Sequence, residues 1–235
     1  MKHTPLSLPM TRDELFRGIG FLMVQQLMLS PLLGLLPGSA VLRNCLYAGI
    51  SFAAGIGLFF RFLRKSVENF PKNIGFFLWQ ILLSYAGCMV IQQLFSQILY
   101  PICPNFYSLT NAGLALKTPN DRVMASLLEE NLLLTALCAV VLLPPVEELI
   151  HRGVVFGGLY DKSPVAAYLV SAALFSAIHV MDYLGSAHPL WILLSFLEYL
   201  PAGLILARLY KQTDSIFAPI LLHMVINAVS LFSMR

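Results

Sequence analysis

Charge is scarce in this chain: 11% of its 235 residues are Asp, Glu, Lys or Arg, and the formal net charge of +3 is scattered with no basic run. Nucleic acid is therefore not an expected partner, because phosphate binding needs a concentrated basic surface. Cysteine is sparse too. Cys45, Cys88, Cys103 and Cys138 show no CxxC or zinc-ligand spacing, and three fall within apolar stretches, so a disulfide framework is not expected. There is no internal repeat, no low-complexity tract and no HExxH. What is abundant is apolar surface. Hydrophobic residues make up 58% of the chain and the mean hydropathy is +0.76, far from the soluble average. The expected fold class is an all-α polytopic membrane helix bundle forming a single integral domain over 1–235.

A span needs about 20 residues to cross about 30 Å of hydrocarbon. Suitable windows run over 18–37, 41–63, 74–100, 131–160, 163–182, 189–209 and 215–234, which makes seven spans. An eighth or half-inserted helix near Pro144-Pro145 is the alternative. Those prolines withdraw two backbone donors and should kink or break the fourth helix, leaving a polar cavity wall. The first window is followed by Gly38-Ser39-Ala40, but its apolar run is too long for a signal peptide, so it reads as a retained anchor. Lys2, Arg12 and Arg17 precede span one, and Arg61, Arg64, Lys65 and Lys72 lie between spans two and three. Alternation puts Lys162, Arg208 and Lys211 on that side as well, leaving Arg43, Lys117, Arg122 and Arg235 opposite. The bias places the amino terminus in the cytoplasm. The stretch 101–130, with Pro101, Pro104, Asn105, Pro119, Asn120 and Asp121, reads as a loop or surface helix, and Ser126 with Glu129 as a cap for the helix that follows.

An ionised group in hydrocarbon is expensive, so ionisable residues kept there pair, line a wet cavity or do chemistry. Glu148 and Arg152 stand four apart and share a helical face, which suits a charge-assisted pair. Glu147 points about 100° away, and one arginine balances only one of the two acids. The acid left over suits a general base in a damp pocket. Phe175 stands one turn before His179 on the same face; a lone membrane histidine is as often a packed core residue as a functional one. His223 and Asn227 also share a face, either as donors to a developing oxyanion or as interhelical glue.

In this order the three motifs, Glu147-Glu148 with Arg152, Phe175 with His179, and His223 with Asn227, resemble the CAAX prenyl protease and bacteriocin-processing family, also called Abi or CPBP. Its pattern is EExxxR, FxxxH and HxxxN on separate membrane helices. The similarity covers about 120–230, and Gly153 and Ala218-Pro219 also fit it. One departure is His151, which stands where the family usually has an aromatic residue and lies four after Glu147, within reach of a hydrogen bond to it.

The resemblance implies an intramembrane endopeptidase. Glu147, helped by His179, would deprotonate a water that attacks a peptide carbonyl, His223 and Asn227 would hold the oxyanion, and Glu148, Arg152 and Phe175 would support them. A metal version would use Glu147, Glu148, His179 and His223 as ligands to zinc or a similar divalent ion; the metal-free version is the one expected, with no cofactor. The implied partners are a peptide or membrane-protein substrate and the lipid bilayer, and the short chain suggests a bacterial cytoplasmic membrane. Two other classes share these residues: a non-catalytic scaffold or bacteriocin self-immunity protein of the same fold, and a small proton-coupled transporter, which lacks the inverted repeat it would need. Straight spans at about 1.5 Å per residue do not bring Glu147, His179 and His223 to one depth, so tilt or a break must close the gap.

Overall fold

The computed structural model describes residues 4–102, 108–109, 115–116 and 119–234, so Lys2, Cys103, Pro104, Asn105, Lys117 and Arg235 lie outside the described residues. The chain is an all-α membrane bundle. Its long helices are α1 (Arg12–Gly34), α2 (Ala40–Leu58), α3 (Phe60–Glu68), α4 (Ile74–Ile102), α5 (Pro119–Glu130), α6 (Leu132–Tyr160), α7 (Pro164–Ile178), α8 (Pro189–Thr213) and α9 (Phe217–Ser233). A two-residue antiparallel ladder joins Ser108–Leu109 to Ala115–Leu116. The seven expected spans thus appear in order as α1, α2, α4, α6, α7, α8 and α9. Five are long and apolar enough to cross a bilayer, while α7 and α9 are shorter apolar helices of 15 and 17 residues.

Local chemistry sets the boundaries. Thr11 and Glu14 form a reciprocal capping box at the start of α1, with the Thr11 N–H donating to Glu14 at 2.8 Å. Ser39 caps α2, and Ser163 followed by Pro164 starts α7. The helix bearing the glutamates is capped by Asn131, whose side chain accepts the Leu134 N–H at 3.0 Å. Ser126, expected in that role, lies inside α5 and donates to the Val123 carbonyl. The apolar Leu127-Leu128 continue α5, so the chain turns only at Asn131. The long polar stretch therefore yields a surface helix.

Many large apolar side chains, among them Phe16, Leu35, Trp79, Leu133 and Phe232, face outward, as suits a lipid-exposed surface. In the most apolar window of α6, 44% of residues are buried, against 11% for α1, 22% for α2 and 17% for α4, which makes α6 the central helix. The double proline does not break it. The turn before the prolines widens to π geometry over Leu137–Leu142, and the Leu143 N–H reaches back five residues to the Cys138 carbonyl. The Ala139 carbonyl then has no backbone donor, since its partner at that spacing is Pro144. Asn227 Nδ2 fills the vacancy from α9, at 2.8 Å. The expected polar wall exists, produced by an unpaired carbonyl in a continuous helix.

One end of the bundle is closed by the segment before α1. Leu6 and Met10 join Phe59, Phe62, Phe156, Tyr160, Tyr210 and Ile216 in a single buried cluster. The Ser7 N–H donates to both oxygens of Asp214, at 3.2 and 3.1 Å, and Lys211 Nζ to the Pro5 carbonyl at 3.2 Å. The turn between α8 and α9 is thereby buried, with Ile216 only 1% exposed. Because α9 starts inside the body and α7 stops at His179, the three motifs reach a common level without a broken helix.

Close approach of α7 and α8 depends on Gly203. A Cβ there would sit 2.9 Å from the Ala172 Cα and 3.2 Å from its carbonyl oxygen, both backbone atoms that cannot swing aside. At Gly153 the nearest atom would be the flexible end of Met10. Gly203→Val is expected to destabilise the protein by about 1–3 kcal/mol, and Gly153→Ala by clearly less. Thermal unfolding of the two variants in lipid, followed side by side, checks this ordering.

Candidate active site

The EExxxR stretch of α6 is where the bundle buries its charge. Glu148 and Arg152, both with fully buried side chains, form an ion pair at 3.0 Å. The Arg152 guanidinium also donates to the Gly203 carbonyl at 3.1 Å and lies 4.5 Å over the Phe175 ring. Such a charge is tolerable only when paired and hydrogen-bonded. Here one carboxylate, one carbonyl and one aromatic face divide the work.

His223 from α9 stands against both acids. Its Nδ1 is 2.8 Å from Glu148 Oε1 and its Nε2 is 3.6 Å from Glu147 Oε2, so the ring bridges the two acids. With the ring doubly protonated, two carboxylates face one guanidinium and one imidazolium, and the cluster is neutral. Both ring nitrogens of His223 are turned to the glutamates, and the side chain is almost wholly buried.

Glu147 differs from its neighbour. Its side chain is 19% exposed and lines a cavity of about 320 Å³ together with His179 and Asn227. Gln26, Arg43, Asn44, Tyr47 and Asp182 give that cavity a polar outer wall. A second cavity of about 500 Å³, between α4, α8 and α9, meets the first at His179, Asn227, Ala139, Asn120 and Met124. Its far walls include Met89, Phe95, Ile226 and Val229. The two cavities are arms of one space that join beside His179 and Asn227, and the first, with Glu147 and its polar outer wall, is the polar arm.

The tautomer of His179 follows from its partner. A carbonyl only accepts, so the 2.7 Å contact with the Phe175 carbonyl requires a proton on Nδ1. In the neutral ring the Nε2 lone pair is then free to accept a proton. The imidazole is held between two aromatic rings, Phe175 at 4.6 Å and Tyr199 stacked at 4.4 Å. Tyr199 is a neighbour that the sequence did not point to, since a tyrosine in an apolar helix carries no spacing signal. Its hydroxyl accepts from Asn120 Nδ2 at 3.2 Å, which ties the His179 ring to the surface helix α5.

All seven residues expected at the site lie around one locus: Glu147, Glu148 and Arg152 from α6, Phe175 and His179 from α7, His223 and Asn227 from α9. His151 departs from expectation. Its Nδ1 meets the Glu147 backbone carbonyl at 2.7 Å and not the carboxylate, and its buried ring packs edge-on against Phe175 at 5.5 Å. The side chain of Glu147 leaves the helix toward α9 and cannot turn back on its own turn. Among the described residues, no group of three or more His, Cys, Asp or Glu is arranged to hold a metal ion. Of the zinc set that the resemblance offers as its alternative, Glu147, Glu148 and His223 lie together, with both nitrogens of His223 facing carboxylate oxygens.

Removing Glu148 would leave Arg152 buried without its carboxylate. Glu148→Ala is expected to cost about 3–5 kcal/mol of stability, whereas Glu147→Ala, at a partly exposed position, should cost far less. Denaturation of both variants in lipid distinguishes the structural acid from the other.

Residues 129–229 match the family described as type II CAAX prenyl endopeptidase Rce1-like. Over 85 residues the chain is 33% identical to the candidate membrane peptidase YdiL of Bacillus subtilis (strain 168), a match that covers 36% of this chain and 30% of that protein. No solved structure matches the chain. The matched segment contains every one of the expected site residues, and it is over this segment that the chain resembles the Rce1-like CAAX prenyl endopeptidases.

Proposed function

We propose that the protein is an intramembrane endopeptidase that uses Glu147 as its general base. The observation that carries this reading is the convergence of Glu147, His179 and Asn227, from three helices, on one polar cavity inside a membrane bundle. The Rce1-like match over the same segment supports it.

A water held between the Glu147 carboxylate and the Nε2 lone pair of His179 gives up its proton to Glu147 as its oxygen attacks the peptide carbonyl carbon. Negative charge moves to the carbonyl oxygen. Asn227 Nδ2 spends one hydrogen on Ala139 and has a second for that oxyanion, and the bond to Ala139 holds the amide in place before the reaction starts. The proton on Glu147 passes to the leaving nitrogen, the C–N bond breaks, and a carboxylic acid and an amine result. His223 serves this cycle from behind, its ring placed between Glu147 and Glu148 so that it holds the two carboxyl groups apart. The oxyanion role expected of it falls to Asn227, the member of the pair that reaches the cavity. No metal is used in this reading.

The basic ends of the chain support an orientation. Lys211, Arg208, Lys162 and the Arg61–Lys65 stretch flank the same buried cluster that contains Leu6, Phe62, Tyr160 and Tyr210. This end faces the cytoplasm under the positive-inside rule, and the polar cavity arm then opens at the opposite end.

Cleavage of a quenched membrane-peptide library by the purified protein in lipid tests the activity. Glu147→Ala and His179→Ala are expected to fall to background while folded, and Asn227→Ala to lose about 10²–10³ in rate. Equal inertness of wild type and variants, with the host phenotype intact in Glu147→Ala, would hand the fold to the scaffold reading. Incubation with a membrane-permeant chelator should leave the wild-type rate unchanged. A loss restored by added zinc would overturn the metal-free mechanism and leave the protease itself standing.

A further inference from the structure

Two of the sparse cysteines meet across the bundle. Cys45 Sγ on α2 lies 3.3 Å from Cys138 Sγ on α6, and both thiols are free. Sequence spacing hid the pair because 93 residues separate them. Their helices start level with each other: the Val41 N–H donates to Glu130 at 3.4 Å, beside the Ser39 and Asn131 caps. The two sulfurs therefore sit at similar depth, about 8–9 Å along each helix. Cys45 is partly exposed and follows Arg43 and Asn44, which line the polar cavity arm.

We infer that Cys45 and Cys138 are an interhelical disulfide site, oxidised by a dithiol-disulfide reagent or oxidoreductase that reaches Cys45. The Cys45 thiolate attacks one sulfur of the oxidant's disulfide, and the other sulfur leaves as a thiolate. Cys138, losing its proton, then attacks the Cys45 sulfur of the mixed disulfide and expels the second oxidant sulfur. The protein loses two hydrogens, and the oxidant ends as two thiols. The inference stands apart from the protease reading and needs no activity to be tested. In the proposed orientation this end of α2 and α6 lies on the outer face, where disulfides persist.

The position gives the bond a consequence. Cys138 is the second residue of the π turn, its carbonyl takes the Leu143 N–H, and the next carbonyl, that of Ala139, holds Asn227. Arg43, Asn44 and Tyr47 of α2 form the opposite wall of the cavity. A Cys45–Cys138 bond ties wall to floor and sets the width of the polar arm.

The test treats the full-length protein in lipid with oxidised glutathione or copper phenanthroline, blocks free thiols with a maleimide, and maps peptides by mass spectrometry. Wild type and Cys88→Ser should give a linked Cys45–Cys138 peptide that dithiothreitol releases, and Cys45→Ser and Cys138→Ser should give none. Oxidation should raise the thermal midpoint by on the order of 5 °C in wild type and leave it unmoved in Cys45→Ser. Should Cys138→Ser fold poorly, Cys138→Ala and Cys45→Ala take its place. Maleimide on both thiols after oxidation, or linkage of Cys45 to a different cysteine, would overturn the site. Linkage without a rise in the midpoint would overturn the clamp.

Discussion

A guanidinium with no exposed surface needs partners inside the protein, and the rest of this bundle is arranged around those of Arg152, although its Nε has no hydrogen-bond partner among the described residues. Its charge meets Glu148, a hydrogen goes to the Gly203 carbonyl, and its face lies on Phe175. Each partner comes from a different part of the chain, so the arginine ties α6, α7 and α8 together at one level. Glu148 passes the constraint on to α9 through His223. Once these four helices are locked, the position of Glu147 is decided as well, one residue along and turned to the polar cavity. The energetic anchor and the candidate base are thus neighbours in sequence with opposite surroundings: Glu148 is sealed against Arg152, while Glu147 reaches the cavity.

Glycine at 203 belongs to the same constraint. Its missing side chain allows α7 within backbone contact of α8, and its carbonyl is the one that Arg152 takes. A helix carbonyl is normally occupied by its own ladder, so a second hydrogen-bond partner at this point asks for room as well as charge. Packing and electrostatics cannot be varied separately here.

The helices and the pairing within each motif were legible in the sequence because both rest on local rules, apolar length and four-residue spacing, whereas the expectation that the three motifs form one site rested on the family resemblance. Less legible was how the groups would be shared. Spacing paired Glu148 with Arg152 correctly, but it could not say that His223 would turn both nitrogens onto acids of another helix, since that depends on where α9 begins. The depth of that start is set by Leu6, Ser7 and Met10, residues with no motif at all. Likewise Pro144-Pro145 signalled trouble for α6, yet whether the helix would break or widen depended on a donor more than eighty positions away, Asn227. Tyr199 and the cysteine pair were invisible for the same reason: stacking and sulfur contact leave no period in a sequence.

The seal at the closed end has a temporal side. Ser7 and Asp214, joined through both carboxylate oxygens, are 207 residues apart. During synthesis the segment around Ser7 emerges long before its partner exists, so Leu6 and Met10 must wait at the membrane surface while the intervening helices are inserted. The buried turn before α9 can form only once that segment folds back over it. Closing so long a loop is among the slower and costlier steps a chain can take. The helix made after all the others described, α9, is also the one that delivers His223 and Asn227 to the site. A chain that has not yet docked α9 is therefore both open at one end and short of two side chains at its centre, so the site can be completed only after the bundle around it has formed.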